Sequence, residues 1–133
     1  MLYDEANRQH LEFIQNVITR MNSNSFLIKG WMITLVSALY ALAAKDADLR
    51  YVVVTYFTVP VFWFFDAFYL SQERQYRALY NYVRTLDKTD FSMDASSYKV
   101  GKNSWLGTLF SRTMLVLYPP VLGITLLVMF WMG

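Results

Sequence analysis

Three apolar stretches of 20 residues each constrain this chain more than any other feature. They cover residues 25–44, 51–70 and 113–132. Each is long enough to cross, as a helix, a bilayer hydrocarbon core about 30 Å thick. The first holds one charged residue, Lys29, the second holds one, Asp66, and the third holds none. We therefore expect an all-α, polytopic membrane protein, built as a transmembrane helical hairpin plus a third span.

The composition agrees with this class and argues against several kinds of site. Of all residues 56% are hydrophobic and 17% are charged, which is too apolar for an ordinary soluble domain of 133 residues. The chain has no cysteine, and His10 is its one histidine, so thiolate and histidine-cluster metal sites cannot form within one chain. Asp90 and Asp94 do not form a calcium or magnesium loop pattern. Phosphate-binding glycine loops, nucleophile motifs and zinc motifs do not occur, so we expect no enzyme, no cofactor and no metal site.

A short polar turn, residues 45–50, joins the first two apolar stretches and predicts an antiparallel hairpin. Its midpoint lies between Ala47 and Asp48, so Lys29 and Asp66 are each 18.5 residues from it (47.5 − 29 and 66 − 47.5). At about 1.5 Å of rise per residue, the two charges lie at similar depth. We predict that they face each other or share a polar network. The pair could fix the hairpin register, line a pore or vestibule, or leave the lysine to reach the headgroups alone.

The segments at the open end of the hairpin predict a helical extension outside the membrane. Residues 1–24 carry an apolar stripe at helical spacing, and residues 71–86 continue the second span as an amphipathic helix. The two stripes contain Leu11, Ile14, Ile18 and Met21, and Tyr69, Tyr76, Leu79, Tyr80, Val83 and Leu86. We expect them to pack together; a membrane-surface helix over 1–24 is the alternative. Residues 22–25 are capping and turn types, so a break or kink is expected there.

The chain before and within the third span is less regular. Residues 87–103 predict a loop, and residues 105–112 predict a helix or lead-in at the membrane interface. The side chains expected to hold the loop down are Phe91, Met93 and Tyr98. Pro119, Pro120 and Gly123 predict a break about one third of the way along the third span.

The distribution of lysine and arginine predicts the orientation. Residues 71–112 contain seven of them, and the 45–50 turn contains two. The positive-inside rule then places the N-terminus in the cytoplasm and the turn and C-terminus outside. A third segment that bends back at its prolines is the alternative. The predicted segments are 1–24, a cytosolic amphipathic helix, 25–70, the transmembrane hairpin, 71–112, a cytosolic helix extension and loop, and 113–133, the third transmembrane helix.

The cytosolic extension carries charges of the kind that bind phosphate. Residues 71–112 hold seven basic and four acidic residues, a local charge of +3 (7 − 4). Arginine forks bind phosphate, and tyrosine rings stack on bases. The candidate ligand-binding residues are Arg74, Tyr76, Arg77, Tyr80 and Arg84. The alternative is that these cations only set the topology and contact headgroups.

Hydroxyl side chains within the first two spans predict self-association. Thr34, Ser37, Thr55 and Thr58 would face lipid or each other in a monomer. Association with further copies would cover them, so we expect a homo-oligomer.

The segment FWFFDAFYLSQER, residues 62–74, is the most specific part of a resemblance that covers residues 12–120. Over this length the chain resembles a family of small bacterial membrane proteins that look similar to the membrane effectors of Hailong-type anti-phage defence. In such systems a nucleotidyltransferase product opens an oligomeric pore. The resemblance implies a homo-oligomer, such as a tetramer, in the inner (plasma) membrane of a bacterium. It also implies a nucleotide or oligonucleotide second messenger and a neighbouring nucleotidyltransferase as partners. It adds Glu73 to Lys29 and Asp66 as candidate gating residues.

Three functions follow as hypotheses. The first is a homo-oligomeric, ligand-gated ion channel or pore that disrupts the membrane in antiviral defence, gated by a nucleotide-type signal at the cytosolic face. The alternative is a non-conducting membrane adaptor or structural subunit that binds a cytosolic partner protein. The third is a transporter or intramembrane enzyme that uses Asp66 as a proton carrier.

Overall fold

The computed structural model of the chain describes residues 2–86 and 90–132, and four α-helices make up most of them. The helices are α1 (Leu2–Asp46), α2 (Leu49–Val83), α3 (Trp105–Leu109) and α4 (Arg112–Met132). Two 3-10 helices, Ser96–Tyr98 and Gly101–Asn103, precede α3. The described residues contain no strand, which confirms the all-α prediction. Three of the helices, α1, α2 and α4, are long and apolar enough to cross a membrane.

The predicted hairpin is present. Helix α1 ends at Asp46 and α2 begins at Leu49, so only two residues reverse the chain. Ala47 has a φ of 52°, which gives the turn its left-handed residue. Asp48 caps α2 by accepting a hydrogen bond of 3.0 Å from the Arg50 backbone N–H. The Arg50 guanidinium also donates to this carboxylate, and these bonds lower the pKa of Asp48.

Helix α1 is continuous through residues 22–25, so the predicted break is wrong. Asn22 and Ser23 lie exposed on the outer side of the helix. The Ser25 hydroxyl donates to Asp66 across the hairpin instead of capping a helix. Capping residues favour a helix end without forcing one. Here α1 continues because it packs in apolar clusters on both sides of this segment, through Ile18 before it and Met32 after it. The predicted boundary between residues 24 and 25 therefore lies inside one helix.

Helix α4 does not break at its prolines either. It runs without interruption through Pro119 and Pro120, and α2 runs through Pro60. Proline has a helical φ and removes a hydrogen bond, and spanning helices tolerate that loss when neighbouring groups re-satisfy the backbone. The prediction of a break in the third span is therefore wrong. The continuous α4 also gives no support to a third segment that bends back on itself.

Outside the apolar stretches, α1 and α2 pack on each other as the two stripes predict. Helix α2 has 35 residues and is about 52 Å long, which exceeds the hydrocarbon core by about 20 Å. We call the packed group here the distal cluster. Its buried members are Ile14, Ile18, Leu79, Val83 and Ala95, and Tyr76, Tyr80, Met93 and Tyr98 are among the side chains packed around them.

The spans themselves pack through a second apolar cluster. Its buried members are Met32, Val36, Val59, Ala67, Leu109, Met114 and Tyr118. Tyr118 on α4 contacts Asp66, and Met129 contacts Tyr56 nearer the turn, so α4 is antiparallel to α2. The C-terminal end of α4 therefore lies at the turn end, and residues 71–86 and 90–112 lie at the other. This is the arrangement of ends that was predicted, and which end is cytoplasmic stays a prediction.

Candidate functional site

A buried carboxylate joins the three long helices. Asp66 on α2 has no exposed surface. Its Oδ2 accepts from Lys29 Nζ of α1 at 2.6 Å and from the Tyr118 hydroxyl of α4 at 2.6 Å. Its Oδ1 accepts from the Ser25 hydroxyl. Lys29 also donates to Ser25 Oγ at 2.9 Å, and we call these four residues the polar node. The predicted pairing of Lys29 with Asp66 is confirmed.

The geometry of the node follows from helical spacing and aromatic packing. Ser25 and Lys29 are four residues apart and share one face of α1. Tyr118 is held by stacking on Trp63, with the rings 5.9 Å apart and 3° from parallel. The Trp63 indole donates to the Leu109 carbonyl at 2.9 Å. A buried carboxylate with three donors is well compensated, and this geometry favours a fixed arrangement of the helices.

Exposure differs across the node. The Asp66 carboxylate is fully covered, and the Lys29 side chain is 21% exposed. The ammonium is therefore the part of the node that reaches outward. If Asp66 carried protons, they would need a path to and from its carboxylate. Of the four residues, Lys29 is the one with substantial exposed surface, so such a path would pass its ammonium.

Just beyond the span, α2 holds the segment that leads into α4. We call residues 101–111 the connector. The Ser71 hydroxyl and the Gln75 amide donate to the Asn103 carbonyl at 2.6 and 3.2 Å. Arg74 Nη1 donates to the Lys102 carbonyl at 2.7 Å. Nearer the membrane, the Trp105 indole donates to the Phe64 carbonyl at 3.1 Å.

A basic depression lies beside these contacts. It has a volume of about 350 Å³, and its lining residues are Arg74, Arg77, Ala78, Asn81, Lys102 and Asn103. Glu73 pairs with Arg77 at 2.8 Å on the same helix. The Glu73 side chain is 6% exposed and the Arg77 side chain is 58% exposed. The lining therefore presents three cations, one of them with a carboxylate partner.

The structure separates the five predicted ligand residues. Arg74 and Arg77 line the depression together. Tyr76 and Tyr80 pack against the distal cluster instead, so their rings are not a stacking surface for that depression. Arg84 is the exposed residue that ends α2, and it is not among the lining residues. Glu73 lies outside the node and contacts Arg77.

Sequence reasoning missed several residues that matter here. The sequence pattern predicts a turn residue at Ser25. It predicts no contact for Tyr118, Ser71, Gln75 or Lys102. Ser71 and Gln75 are four apart on the α2 face away from the Tyr stripe, which is a weak signal of a polar contact. Tyr118 carries a hydroxyl within an apolar run, and the direction of that hydroxyl depends on how α4 packs.

Two further groups of polar side chains have defined surroundings. Thr55 and Thr58 are buried, with hydroxyls near backbone carbonyls four residues earlier, and Thr34 and Ser37 are exposed on α1. Self-association stays a prediction that rests on the second pair. Asp94 accepts from the Ser96 backbone N–H, and hydrogen bonding to Ser96 lowers the pKa of Asp94.

Comparison with known proteins finds no matching family model, no similar curated protein and no similar solved structure.

Proposed function

We propose that this chain is a homo-oligomeric membrane effector, an ion channel that a nucleotide-type signal opens from the cytoplasmic side. The observation that supports this most is the continuity of α1 and α2. Each passes from the distal cluster to the polar node without a break. A change in how their outer ends pack is therefore carried into the spans by rigid helices rather than absorbed by a hinge.

The connector supplies a second route between the two ends. Its backbone carbonyls are held by Ser71, Arg74 and Gln75 of α2, and its own end leads into α4. Helix α4 in turn contributes Tyr118 to the node. A ligand can shift the closed and open populations only by its difference in affinity for the two states. Contacts that join two elements which move relative to each other provide such a difference.

Anti-phage defence is the setting that the resemblance of residues 62–74 suggests, with a neighbouring nucleotidyltransferase as the source of the signal. Thr34 and Ser37, exposed on α1, support an assembly of several copies. In such an assembly the copies together would line the conducting path, since one chain of three spans is too small to enclose one.

Conductance tests the proposal. The protein is reconstituted in vesicles that hold an imposed membrane potential, which a potential-sensitive dye reports. The product of the neighbouring nucleotidyltransferase is then added. We expect depolarisation that depends on the product, and we expect the Gln75→Leu variant to shift the dose that is required. The exposed Gln15→Leu variant on α1 is the matched control and should respond like the wild type. A flat trace from folded, oligomeric protein would overturn the proposal.

That same flat trace would favour the adaptor, and one observation supports it as a second candidate. Phe13 of α1 and Phe91 of the loop are both exposed, with their rings 6.3 Å apart, on the part of the chain outside the membrane. Exposed aromatic pairs of this kind are typical of surfaces that a protein partner covers. Co-purification of a cytosolic protein that is lost on Phe13→Ser would identify this case.

A further inference from the structure

We propose that the basic depression is a phosphate-binding site, in which Arg74, Arg77 and Lys102 hold the anion. This inference rests on the proposed function and names the chemistry of its signal. The three side chains come from two segments, α2 and the connector, which the fold brings together across 28 residues of sequence. With Glu73 as the carboxylate partner of Arg77, the group carries a charge of +2 (3 − 1). Asn81 and Asn103 add amide groups to the lining.

The guanidinium groups of both arginines are already oriented by contacts within the protein. Arg74 and Arg77 are three residues apart and therefore share one face of α2. Arg74 is oriented by one donation to the Lys102 carbonyl, which leaves its other N–H groups for a ligand. Arg77 is oriented by Glu73 while more than half of its side chain stays exposed. A guanidinium whose direction is already fixed loses little rotamer freedom when it binds phosphate through two N–H groups.

The depth of the depression brings two sources of phosphate within reach. Counted from Leu70, where the apolar stretch ends, Arg74 and Arg77 lie about 6 and 10 Å further along the helix. The headgroup layer is about 5 to 8 Å thick on each side of the hydrocarbon core. The site is therefore within reach of the phosphate of an anionic lipid and of a soluble nucleotide.

Phosphate at this position would act on the join between α2 and the connector. Arg74 belongs to α2 and Lys102 to the connector, so a bound anion contacts both elements at once. It binds more tightly to a state in which the two cations are close than to one in which they are apart, and that difference in affinity is what shifts a conformational equilibrium.

Titration of the full-length protein in nanodiscs tests the site. Discs of zwitterionic lipid are titrated with AMP and with inorganic phosphate, and a second set contains phosphatidic acid at increasing mole fraction. We expect Arg74→Gln and Lys102→Gln each to weaken phosphate binding by about tenfold or more. Lys102→Gln keeps the backbone carbonyl that Arg74 contacts, so it removes a ligand group without removing that contact. Arg84→Gln and Lys99→Gln, exposed cations outside the lining, should change affinity by less than about twofold.

The two arms distinguish the sources. Binding of AMP in zwitterionic discs supports a soluble ligand, and binding that requires phosphatidic acid supports a lipid phosphate. The inference is overturned if AMP, inorganic phosphate and phosphatidic acid all fail to bind. It is also overturned if the control variants lose as much affinity as Arg74→Gln and Lys102→Gln. Conductance is read separately on the same preparations. Site-specific binding without any conductance under any signal would contradict the proposed channel and leave the phosphate site standing.

Discussion

Helix α2 carries two buried carboxylates that differ in their partners. Asp66 and Glu73 are seven residues apart, about two turns, and both side chains are almost wholly covered. The donors to Asp66 come from two other helices, since Lys29 belongs to α1 and Tyr118 to α4. The partner of Glu73, Arg77, lies one turn further along the same helix.

The comparison shows that burial alone does not tell what a carboxylate does. Removing the charge of Asp66 would release contacts between helices, because its donors fix how α1 and α4 sit against α2. Removing the charge of Glu73 would release one arginine at the surface, because that pair joins only neighbouring turns. The first pair therefore restrains the tertiary structure of the spans. The second orients a cation that stays accessible at the basic depression.

The largest expected effect is on the node. Asp66→Ala should lower the free energy of unfolding by about 3 to 5 kcal/mol, because it leaves a partly buried lysine without its counter-charge. Reversible unfolding in mixed micelles, followed by circular dichroism, measures it. The double variant Lys29→Met, Asp66→Leu should recover most of the loss, since apolar residues of similar volume replace both charges. A single variant as stable as the wild type would show that the node does not hold the helices together.

A smaller effect on the free energy of unfolding is expected from the contact that α4 makes with the node. Tyr118→Phe keeps the ring that stacks on Trp63 and removes only the hydroxyl that donates to Asp66. The cost should be about 1.5 to 3 kcal/mol, the range for hydrogen bonds to charged groups. Tyr56→Phe is the matched control, because its hydroxyl contacts Met129 Sδ at 3.6 Å, a weak acceptor. Equal losses in the two variants would mean that the bond to Asp66 has no special weight.

The sequence predicted one half of this node and not the other. A short turn fixes the register of a hairpin, so equal distances from the midpoint of residues 45–50 are enough to pair Lys29 with Asp66. The contribution of Tyr118 could not be obtained in the same way, because a non-periodic segment of more than 20 residues separates α2 from α4. Helical spacing gives the depth of a side chain within its own helix, and says nothing of how an independently placed helix is rotated.

The same limit explains the errors at residues 22–25 and at Pro119. Capping residues and prolines report what a chain can do locally, and the packing of a long apolar face decides whether it does so. The stripes of the distal cluster were predictable because both helices continue from the hairpin, so their registers were already fixed. The basic depression was only half predictable. Arg74 and Arg77 follow from the spacing on α2, whereas Lys102 comes from the connector.

The third prediction concerns the pair formed by Glu73 and Arg77. Arg77→Gln should lower the free energy of unfolding by less than about 1 kcal/mol, because the cation is 58% exposed and solvent screens its interaction. The same micelle assay compares it with Asp66→Ala. A loss as large as that of the node variant would remove the distinction between the two carboxylates. Arg77→Gln is also expected to weaken phosphate binding. Its affinity for phosphate should therefore fall clearly while its free energy of unfolding changes little.

The smallest expected effect comes from a carboxylate that is fully exposed. The side chain and backbone of Ser96 hydrogen-bond Asp94 and lower its pKa from the ordinary 3.8. A lowered native pKa means that the charged form is favoured on folding, so this stabilisation is complete above pH 3.8 and is lost as the pH falls through the lower native value. The free energy of unfolding of Asp94→Asn, measured in the same micelle assay, should therefore be slightly lower than that of the wild type at pH 6. This gap between the two proteins should narrow toward pH 2.

Subtracting the two unfolding curves at each pH removes every contribution that the two proteins share. Asp48, whose pKa the bonds from Arg50 also lower, allows the same test at the other end of the protein with Asp48→Asn. Both gaps should stay well below the effect of Tyr118→Phe, because solvent screens exposed pairs. A gap that widens as the pH falls would mean that Asp94 is more readily protonated in the folded protein. In that case its hydrogen bonds to Ser96 do not form in the membrane-embedded chain.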